Sequence, residues 1–237
     1  MYPGIQITPP FFEIGPKAYL YGRQLMELAR EADRLSRVYG VQIIITPQTV
    51  DIPAVVQGTH SLLVFAQHMD SLPAGRGIGA VLPEALKEAG AAGVLLNHVE
   101  KRLPLKELER TIQRANEVGL ASMVCADGLR EVEAVARMQP NILLAESAEM
   151  IEGSSRGEDD QAEITRINEL VWKINPEIRV LHGAGIRCGL DVYNVMAAGA
   201  QAAGSTSAII LAPDPAGVLE EMIRAARAGW DAANNLR

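Results

Sequence analysis

The stretch at residues 93–102, GVLLNHVEKR, changes abruptly from apolar to polar. Its first four residues form a short apolar run that is typical of a buried strand, and Asn97, His98 and Glu100 follow directly. Polar residues after a strand have an ordinary explanation, because strands end at the protein surface. They also match the rim of a (β/α)₈ barrel, where the segments after the strands carry the active site.

Similar apolar runs recur along the chain and alternate with amphipathic segments. The runs are short and rich in valine and isoleucine, which predicts strands, whereas the longer segments have apolar residues at helical spacing. Pro83 and Pro215 stand at first-turn positions of two predicted helices, where a missing N–H does no harm. We predict strands at residues 11–14, 41–45, 62–66, 93–96, 121–125, 142–145, 178–181 and 203–210, and helices at residues 23–38, 83–89, 105–118, 129–138, 163–174, 190–198 and 215–226.

This alternation predicts the fold class. Strands that are apolar on both faces and are joined by helices favour a parallel sheet covered by helices. Eight strand–helix units of about thirty residues each fit the 237 residues of the chain and predict an α/β fold, a (β/α)₈ barrel in a single domain spanning residues 1–237. A doubly wound open sheet is the alternative, but the first strand-to-helix turn, GPKAYLYG at residues 15–22, lacks the glycine pattern of dinucleotide-binding folds.

Composition excludes several classes of protein. A formal net charge of −7 argues against a general nucleic-acid-binding surface, which needs basic residues to neutralise phosphates. The chain has neither a long apolar run nor a basic and then apolar start, so we expect a cytoplasmic protein that does not bind membranes. Cys125 and Cys188 are too few for a disulfide scaffold and lack metal-ligand spacing, and we expect neither a metal nor a cofactor.

In a barrel, the polar groups that follow the strands converge at one mouth. A carboxylate, an imidazole and an ammonium group facing one cavity suit proton transfer beside the carbonyl group of a phosphorylated substrate. Glu146 can remove a carbon-bound proton if a dry site raises its pKa, while His98 polarises the carbonyl and Lys17 stabilises the enediolate charge. Gly183 and Gly185 leave backbone N–H groups open to a phosphate. Other residues expected at this mouth are Gln67, His68, Asn97, Glu100, the stretch HGAGIR (182–187) and residues 205–208.

Each of these residues also has an ordinary structural explanation. A histidine after a strand or a lysine in a loop is more often a surface residue, and the glutamates near Glu146 are typical of a solvated loop. The glycines at residues 183–185 can simply form a tight turn. We interpret three further residues as structural: His68, His182 and Cys125.

Longer stretches of the chain resemble the triosephosphate isomerase family, most closely its short archaeal-type form. The resemblance runs in order from about Pro9 to the C-terminus. It implies an aldose–ketose isomerase that acts on a short phosphorylated sugar through an enediolate, without a cofactor, in a homo-oligomer, either a dimer or a tetramer. The stretches that carry it are FAQHMD (65–70), VLPEALKEAGAAGVLLNHVEKR (81–102), EVGLASMVC (117–125), LLAESAEMIEG (143–153), NPEIRVLHGAGIRCGLDV (175–192) and the AAG...APDP ending.

The resemblance also implies roles for individual residues. Lys17 matches the substrate-binding lysine, His98 the electrophile, Glu100 the acidic residue beside this histidine and Glu146 the catalytic base. The residues that match the phosphate-binding positions are Gly183, Ala184 and Gly185 after strand 7, Ser207 and Ala208 at strand 8, and Gly153 in the loop after strand 6.

Departures from the family pattern surround these residues. Gly15 replaces an asparagine whose amide would contact the substrate, and Ile78 replaces a threonine that the family sends into a neighbouring subunit's site. We therefore expect an unfilled polar space beside Lys17, which invites water or a larger substrate such as a four-carbon ketose phosphate. Val99 replaces a serine after the histidine.

Three departures concern the grip on the phosphate group. Ser147 replaces a hinge proline, Glu152 adds a carboxylate that would repel a phosphate dianion, and Ala208 replaces a glycine. Two other functions stay open at this point. The first is a catalytically impaired barrel that binds phosphorylated ligands or protein partners, and the second is a Schiff-base aldolase with Lys17 as its nucleophile.

Overall fold

The structure of the chain, a computed structural model, describes residues 1–146, 159–183 and 185–235. Eight parallel strands pair in chain order, and the first also pairs with the last, which closes a barrel. The predicted (β/α)₈ fold is therefore confirmed. The strands are β1 Phe11–Ile14, β2 Gln42–Ile45, β3 Leu62–Ala66, β4 Gly93–Leu96, β5 Ala121–Ala126, β6 Ile142–Ala145, β7 Arg179–His182 and β8 Ala202–Ser205.

Helices lie between the strands along the chain and pack around the barrel. Short 3₁₀ turns, at Thr49–Asp51 and Val99–Lys101, lie in the segments that follow β2 and β4. The helices in the described residues are α1 Gly22–Tyr39, α2 Ile52–Gly58, α3 Pro83–Glu88, α4 Leu105–Val118, α5 Gly128–Arg137, α6 Asp159–Ile174, α7 Gly189–Ala197, α8 Ser207–Ile210 and α9 Pro215–Asn235.

Two elements differ from the sequence prediction. The predicted strand at residues 203–210 is wrong in its second half, because β8 ends at Ser205 and the chain turns at Thr206 into helix α8. The carbonyl of Thr206 accepts hydrogen bonds from the N–H groups of Ile209 and Ile210, which are buried in the helix and not in a strand. Helix α2, of seven residues, was not predicted from the sequence.

The core has two layers, which follow from the alternation of side chains along each strand. On β1, Phe12 and Ile14 face the helices and belong to the large outer layer. Phe11 faces the barrel interior, where it joins residues such as Ile44 and Leu144. Glu13 is two residues after Phe11 and therefore points into the same interior.

The N-terminal segment closes the barrel at the end where the strands begin. Ile7 packs into the interior layer, and its carbonyl accepts a hydrogen bond from Nε of Arg179 at 3.1 Å. Tyr2 and Asn141 exchange two hydrogen bonds, at 3.3 and 2.8 Å. Access to the interior therefore comes from the opposite end. In the described parts of the chain, no helix is long and apolar enough to span a membrane.

Candidate active site

A cavity of about 450 Å³ lies at the carboxyl ends of the strands. Its volume falls in the range of small-molecule sites. Residues that follow strands far apart in the sequence share its wall, because the closed barrel brings all strand ends to one mouth. The sequence-predicted site residues among its lining are Lys17, His98, Glu100, Glu146, Gly183, Gly185 and Ser207.

Lys17 is held in an uncommon backbone conformation, with a φ of 47°. Its carbonyl oxygen accepts hydrogen bonds from the side-chain amides of Gln48, at 2.8 Å, and Gln67, at 2.9 Å. A lysine with positive φ is strained, and it persists only where its surroundings hold it in place. The two amides thus fix the direction of the Lys17 side chain, whose Nζ donates to Oε1 of Glu100 at 2.7 Å.

His98 is oriented by the main chain of its own loop. Its Nδ1 atom accepts a hydrogen bond from the backbone N–H of Glu100 at 3.1 Å. Burial, together with the charge of Lys17, lowers the pKa of His98. The imidazole is therefore neutral at pH 7, and because Nδ1 is an acceptor, its one proton sits on Nε2. That N–H is a hydrogen-bond donor for an oxygen in the cavity.

Glu146 follows β6 and lies beside His98. Oε2 of its carboxylate is 4.0 Å from Nε2 of His98. Burial raises the pKa of Glu146, and the opposing effects are a hydrogen bond from the thiol of Cys125 and the charge of Lys17. A carboxylate with a raised pKa is a stronger base than an ordinary one. The site thus has a carboxylate base, Glu146, next to a neutral hydrogen-bond donor, His98.

Glu13 is a second buried carboxyl group in the same cavity, and the sequence analysis did not select it. The side chain is 8% exposed, and burial raises its pKa to about 8. Oε1 of Glu13 accepts a hydrogen bond from the hydroxyl of Thr46 at 3.0 Å. The signal that could have found it is a charged residue at an inward-facing position of a buried strand.

Residues 15–205 match the family model of triosephosphate isomerase. The chain belongs to the triosephosphate isomerase family. It is 38% identical over 218 residues to triosephosphate isomerase of Methanosarcina barkeri, covering 91% of this chain and 98% of the relative. Triosephosphate isomerase of Sulfurisphaera tokodaii is 37% identical over 221 residues, covering 92% and 95%. Membership of the triosephosphate isomerase family identifies the chain as an aldose–ketose isomerase.

Gly15, which stands where the triosephosphate isomerase pattern has an asparagine, has two polar groups close to it. A Cβ atom added to Gly15 would lie 2.8 Å from Oγ1 of Thr206 and 3.1 Å from Oε1 of Glu13. The place next to the absent asparagine side chain is therefore occupied by a hydroxyl and a carboxyl group. Part of the space that we expected to be unfilled beside Lys17 is thus taken by these two groups, while Gly15 and Lys17 still line the cavity. The carboxyl group comes from Glu13, two residues before Gly15.

The other end of the cavity carries the glycine turn after β7. The N–H of Gly183 donates to the carbonyl of Ala145 at 3.4 Å, and Gly185 has a φ of 73°. Arg187 also lines the cavity, and its side chain lies near Asp191, with 3.6 Å between Nε and Oδ2. The stretch HGAGIR was expected at this mouth, but no role could be assigned to Arg187, because the sequence does not indicate which way its side chain points.

Several residues that the sequence analysis singled out do not line the cavity or lie outside the described residues. Ala208 lies in α8, packs against the outer core and is not part of the cavity lining. Ile78 is fully exposed on the loop after β3, and Val99 is also exposed. Four positions from the sequence analysis lie outside the described residues: Ser147, Glu152, Gly153 and Ala184.

Asn97 was expected at the cavity but supports the loop that carries His98. Its side chain is buried, and Nδ2 donates to the carbonyl of Cys125 and to Glu131, both at 3.0 Å. Its Oδ1 accepts from the N–H of Leu103 at 3.1 Å. These contacts fasten the loop after β4 to the next strand–helix unit.

The residues interpreted as structural divide into two groups. His182 is buried and bonded to Asn168 at 3.0 Å, in agreement with a structural role. His68 lines the cavity, with Asp70 3.4 Å from its ring, and burial lowers its pKa. Cys125 is buried in the barrel interior as expected, but its thiol also bonds to Glu146. Among the described residues, no group of three His, Cys, Asp or Glu side chains is arranged to hold a metal ion.

Proposed function

We propose that this isomerase interconverts glyceraldehyde 3-phosphate and dihydroxyacetone phosphate. The observation that carries the proposal is the distance of 4.0 Å between Oε2 of Glu146 and Nε2 of His98 in one cavity. At this distance the base can take a proton from one substrate carbon while the donor forms a hydrogen bond to the adjacent carbonyl oxygen.

The carbon-bound proton is first taken up by Glu146 and later returned to the neighbouring carbon, and a second proton moves between the substrate oxygens in between. The Glu146 carboxylate takes the proton from the carbon beside the carbonyl, and the electron pair of that C–H bond becomes the carbon–carbon double bond of an enediolate. The carbonyl oxygen gains the negative charge, which the N–H of His98 and the ammonium of Lys17 stabilise. After a proton has passed between the two substrate oxygens by way of His98, the Glu146 acid returns its proton to the neighbouring carbon.

The phosphate group belongs at the end of the cavity near the β7 turn. Gly185 and Ser207 line this end without bulky side chains, and Arg187 adds a positive charge. Glu146 lies next to this turn, because its Oε1 is 3.3 Å from the position that a Cβ of Gly183 would have. When the phosphate is bound at the turn, the carbons attached to it therefore lie beside Glu146. Charge attraction and backbone N–H groups are the usual means of holding a phosphate.

Two observations favour the three-carbon pair over other substrates and reactions. Glu13 and Thr206 fill the place where a longer ketose would gain room next to Gly15. The Nζ atom of Lys17 is 2.7 Å from the Glu100 carboxylate, whereas a Schiff-base nucleophile must be a neutral amine. A four-carbon ketose phosphate is the next substrate to test.

The test is a coupled isomerase assay on three- to five-carbon aldose and ketose phosphates. We expect the highest kcat/KM on glyceraldehyde 3-phosphate and its loss in Glu146→Gln. The matched control is Glu133→Gln on the exposed face of α5, where Glu133 pairs only with Arg137 among the described contacts. A higher kcat/KM on a longer sugar would transfer the proposal to that sugar. No turnover of any of them, together with a thermal shift by a phosphorylated ligand, would favour a binding protein.

We also propose that the chain forms a homo-oligomer, as the family resemblance implies. Ile78 is fully exposed in a loop closed by two hydrogen bonds between Asp70 and Val81, at 3.0 and 2.7 Å. A single exposed isoleucine is common on protein surfaces, so the proposal rests on the family resemblance. Light scattering after gel filtration gives the molar mass, and a monomer would contradict the proposal.

A further inference from the structure

Glu13 occupies a position that is costly for a carboxyl group. Its inward-facing neighbours in the barrel interior are apolar, among them Phe11 on the same strand and Ile44 on the next. Burial of a carboxyl group without full hydrogen bonding opposes folding. The carboxyl nevertheless lines the same cavity as Glu146, so its place in the barrel calls for a role in that cavity.

Two glycines give the Glu13 carboxyl its room. A Cβ atom at Gly204 would lie 3.1 Å from Oε2 of Glu13, and a Cβ at Gly15 would lie 3.1 Å from Oε1 and 3.6 Å from Oε2. Because Gly15 and Gly204 both line the cavity, the carboxyl is not covered by a side chain from either neighbour. The hydroxyl of Thr46 is 3.0 Å from Oε1 and 3.4 Å from the carbonyl of Ile14, and the shorter contact favours donation to Oε1. When Oε1 accepts this bond, the proton of the neutral carboxyl is on Oε2.

We infer that Glu13 is a further substrate-contacting residue, which donates a hydrogen bond from its neutral carboxyl group to the substrate oxygen that becomes negatively charged in the enediolate. The inference rests on the proposed function. A preorganised donor aimed at a developing negative charge is among the strongest contributions to catalysis. The Glu13 O–H thereby supplies the donor that the asparagine amide would give in the family pattern.

The charges around Glu13 agree with a neutral carboxyl. Burial is the main cause of its raised pKa of about 8. The hydrogen bond from Thr46 lowers the pKa of Glu13, the charge of Glu146 raises it, and the charge of Lys17 lowers it. The third titratable group near it is the Cys125 thiol, whose pKa burial raises well above the usual value, so that it stays neutral. Glu13 is accordingly an O–H donor below about pH 8 and loses this property above it.

The first experiment compares the pH profiles of wild type, Glu13→Gln and Glu13→Leu. Glutamine keeps the shape and a donor that does not titrate, whereas leucine keeps only the volume. We expect kcat/KM of the wild type to fall about tenfold per pH unit above about pH 8. Glu13→Gln should stay within about tenfold of wild type at pH 7 and lack this decline, and Glu13→Leu should lose about 100-fold or more. An equal alkaline decline in wild type and Glu13→Gln overturns the inference, as does full activity of Glu13→Leu.

The second experiment does not depend on turnover. Calorimetry measures the affinity for 2-phosphoglycolate, an anion that carries a carboxylate where the enediolate oxygens would be, between pH 6 and pH 9.5. We expect binding to weaken above about pH 8 in wild type and not in Glu13→Gln. The same pH dependence in both proteins, or no binding by either, overturns the inference. If no sugar phosphate is turned over, the proposed function fails, while this measurement still decides whether Glu13 contacts the anion.

Discussion

The Nδ1 atom of His98 accepts a hydrogen bond from the backbone N–H of Glu100, two residues later, at 3.1 Å. This contact fixes the tautomer of the ring from within its own loop, without a second side chain. The remaining nitrogen, Nε2, then points its proton into the cavity beside Glu146.

The tautomer of His98 is the first prediction. Because burial and the charge of Lys17 lower its pKa, folding favours the neutral ring, and protonation sets in only below the ordinary value of 6.5. Nitrogen-15 NMR at pH 7 should show a protonated Nε2 and a bare Nδ1. The His98→Gln spectrum identifies the signals by their loss. A doubly protonated ring at this pH would contradict the geometry.

The second prediction is that Glu146→Asp folds normally but turns over substrate slowly. Shortening the side chain by one methylene group withdraws the carboxylate from the substrate carbon, and a displacement of about 1 Å can lower the rate about 100-fold. Steady-state kinetics measures the change in kcat, and circular dichroism checks the fold. Glu133→Asp on α5 is the control. Similar rates in Glu146→Asp and wild type would assign the proton transfer to another group.

The third prediction concerns stability and Glu13. Its pKa is about 8 in the folded chain and close to 4.5 when unfolded, so the folded state retains a proton that the unfolded state has lost between these values. The free energy of unfolding of wild type should therefore decline as pH rises from about 4.5 to 8, by a few kcal/mol in total. Glu13→Gln lacks this contribution.

Urea unfolding at pH 5, 6.5, 8 and 9.5 tests this expectation. The stability of Glu13→Gln minus that of wild type should grow over the series and level off above pH 8. Glu133→Gln, in an exposed salt bridge with Arg137, serves as the comparison and should show no such growth. A difference that does not depend on pH would mean that Glu13 is ionised at neutral pH.

The fourth prediction is that Gly15 and Glu13 are coupled. An asparagine at Gly15 would place its Cβ 3.1 Å from Glu13 Oε1, so Gly15→Asn alone should destabilise the protein and reduce activity. In the Glu13→Ala background the same substitution has more room and restores an amide donor. The effect of Gly15→Asn on kcat/KM and on the free energy of unfolding should therefore be smaller with Ala than with Glu at position 13. Additive effects would contradict the coupling.

The fifth prediction tests the support of Lys17. The Gln67 amide donates to the carbonyls of Lys17, at 2.9 Å, and Thr46, at 2.8 Å. Gln67→Leu should remove both bonds, destabilise the protein by about 1–3 kcal/mol and lower kcat/KM, because Lys17 is no longer held in its strained conformation. Gln24→Leu on the exposed side of α1 is the matched control. Unchanged activity would show that Lys17 needs no support from Gln67.

The barrel and the residues at the ends of its strands could be predicted from the sequence. Runs that are apolar on both faces indicate parallel strands, and the order of strands in a closed barrel brings Lys17, His98 and Glu146 together. Helix α8 could not be predicted, because Ile209 and Ile210 are apolar in a strand as well as in a helix. The role of Gln48 also depends on three dimensions, since its amide bonds to Lys17, 31 positions away in the chain.

Glu13 was missed for a different reason. In the short run FFEI a glutamate looks like a polar interruption of a strand, and its inward direction follows only once Phe11, two residues earlier, is known to face the barrel interior. Arg187 was expected at the mouth as part of HGAGIR, but its role could not be predicted, because the direction of its side chain depends on the backbone of the β7 turn.

Glu13 lies on β1 and Gly15 directly follows that strand, and the side chain of Glu13 reaches the place that Gly15 leaves free. On the proposed role of Glu13, the hydrogen-bond donor that is missing at Gly15 comes from a residue two positions earlier in the chain, at nearly the same point of the cavity. The active site is then defined by which groups reach a given point in space, and not by which sequence position supplies them.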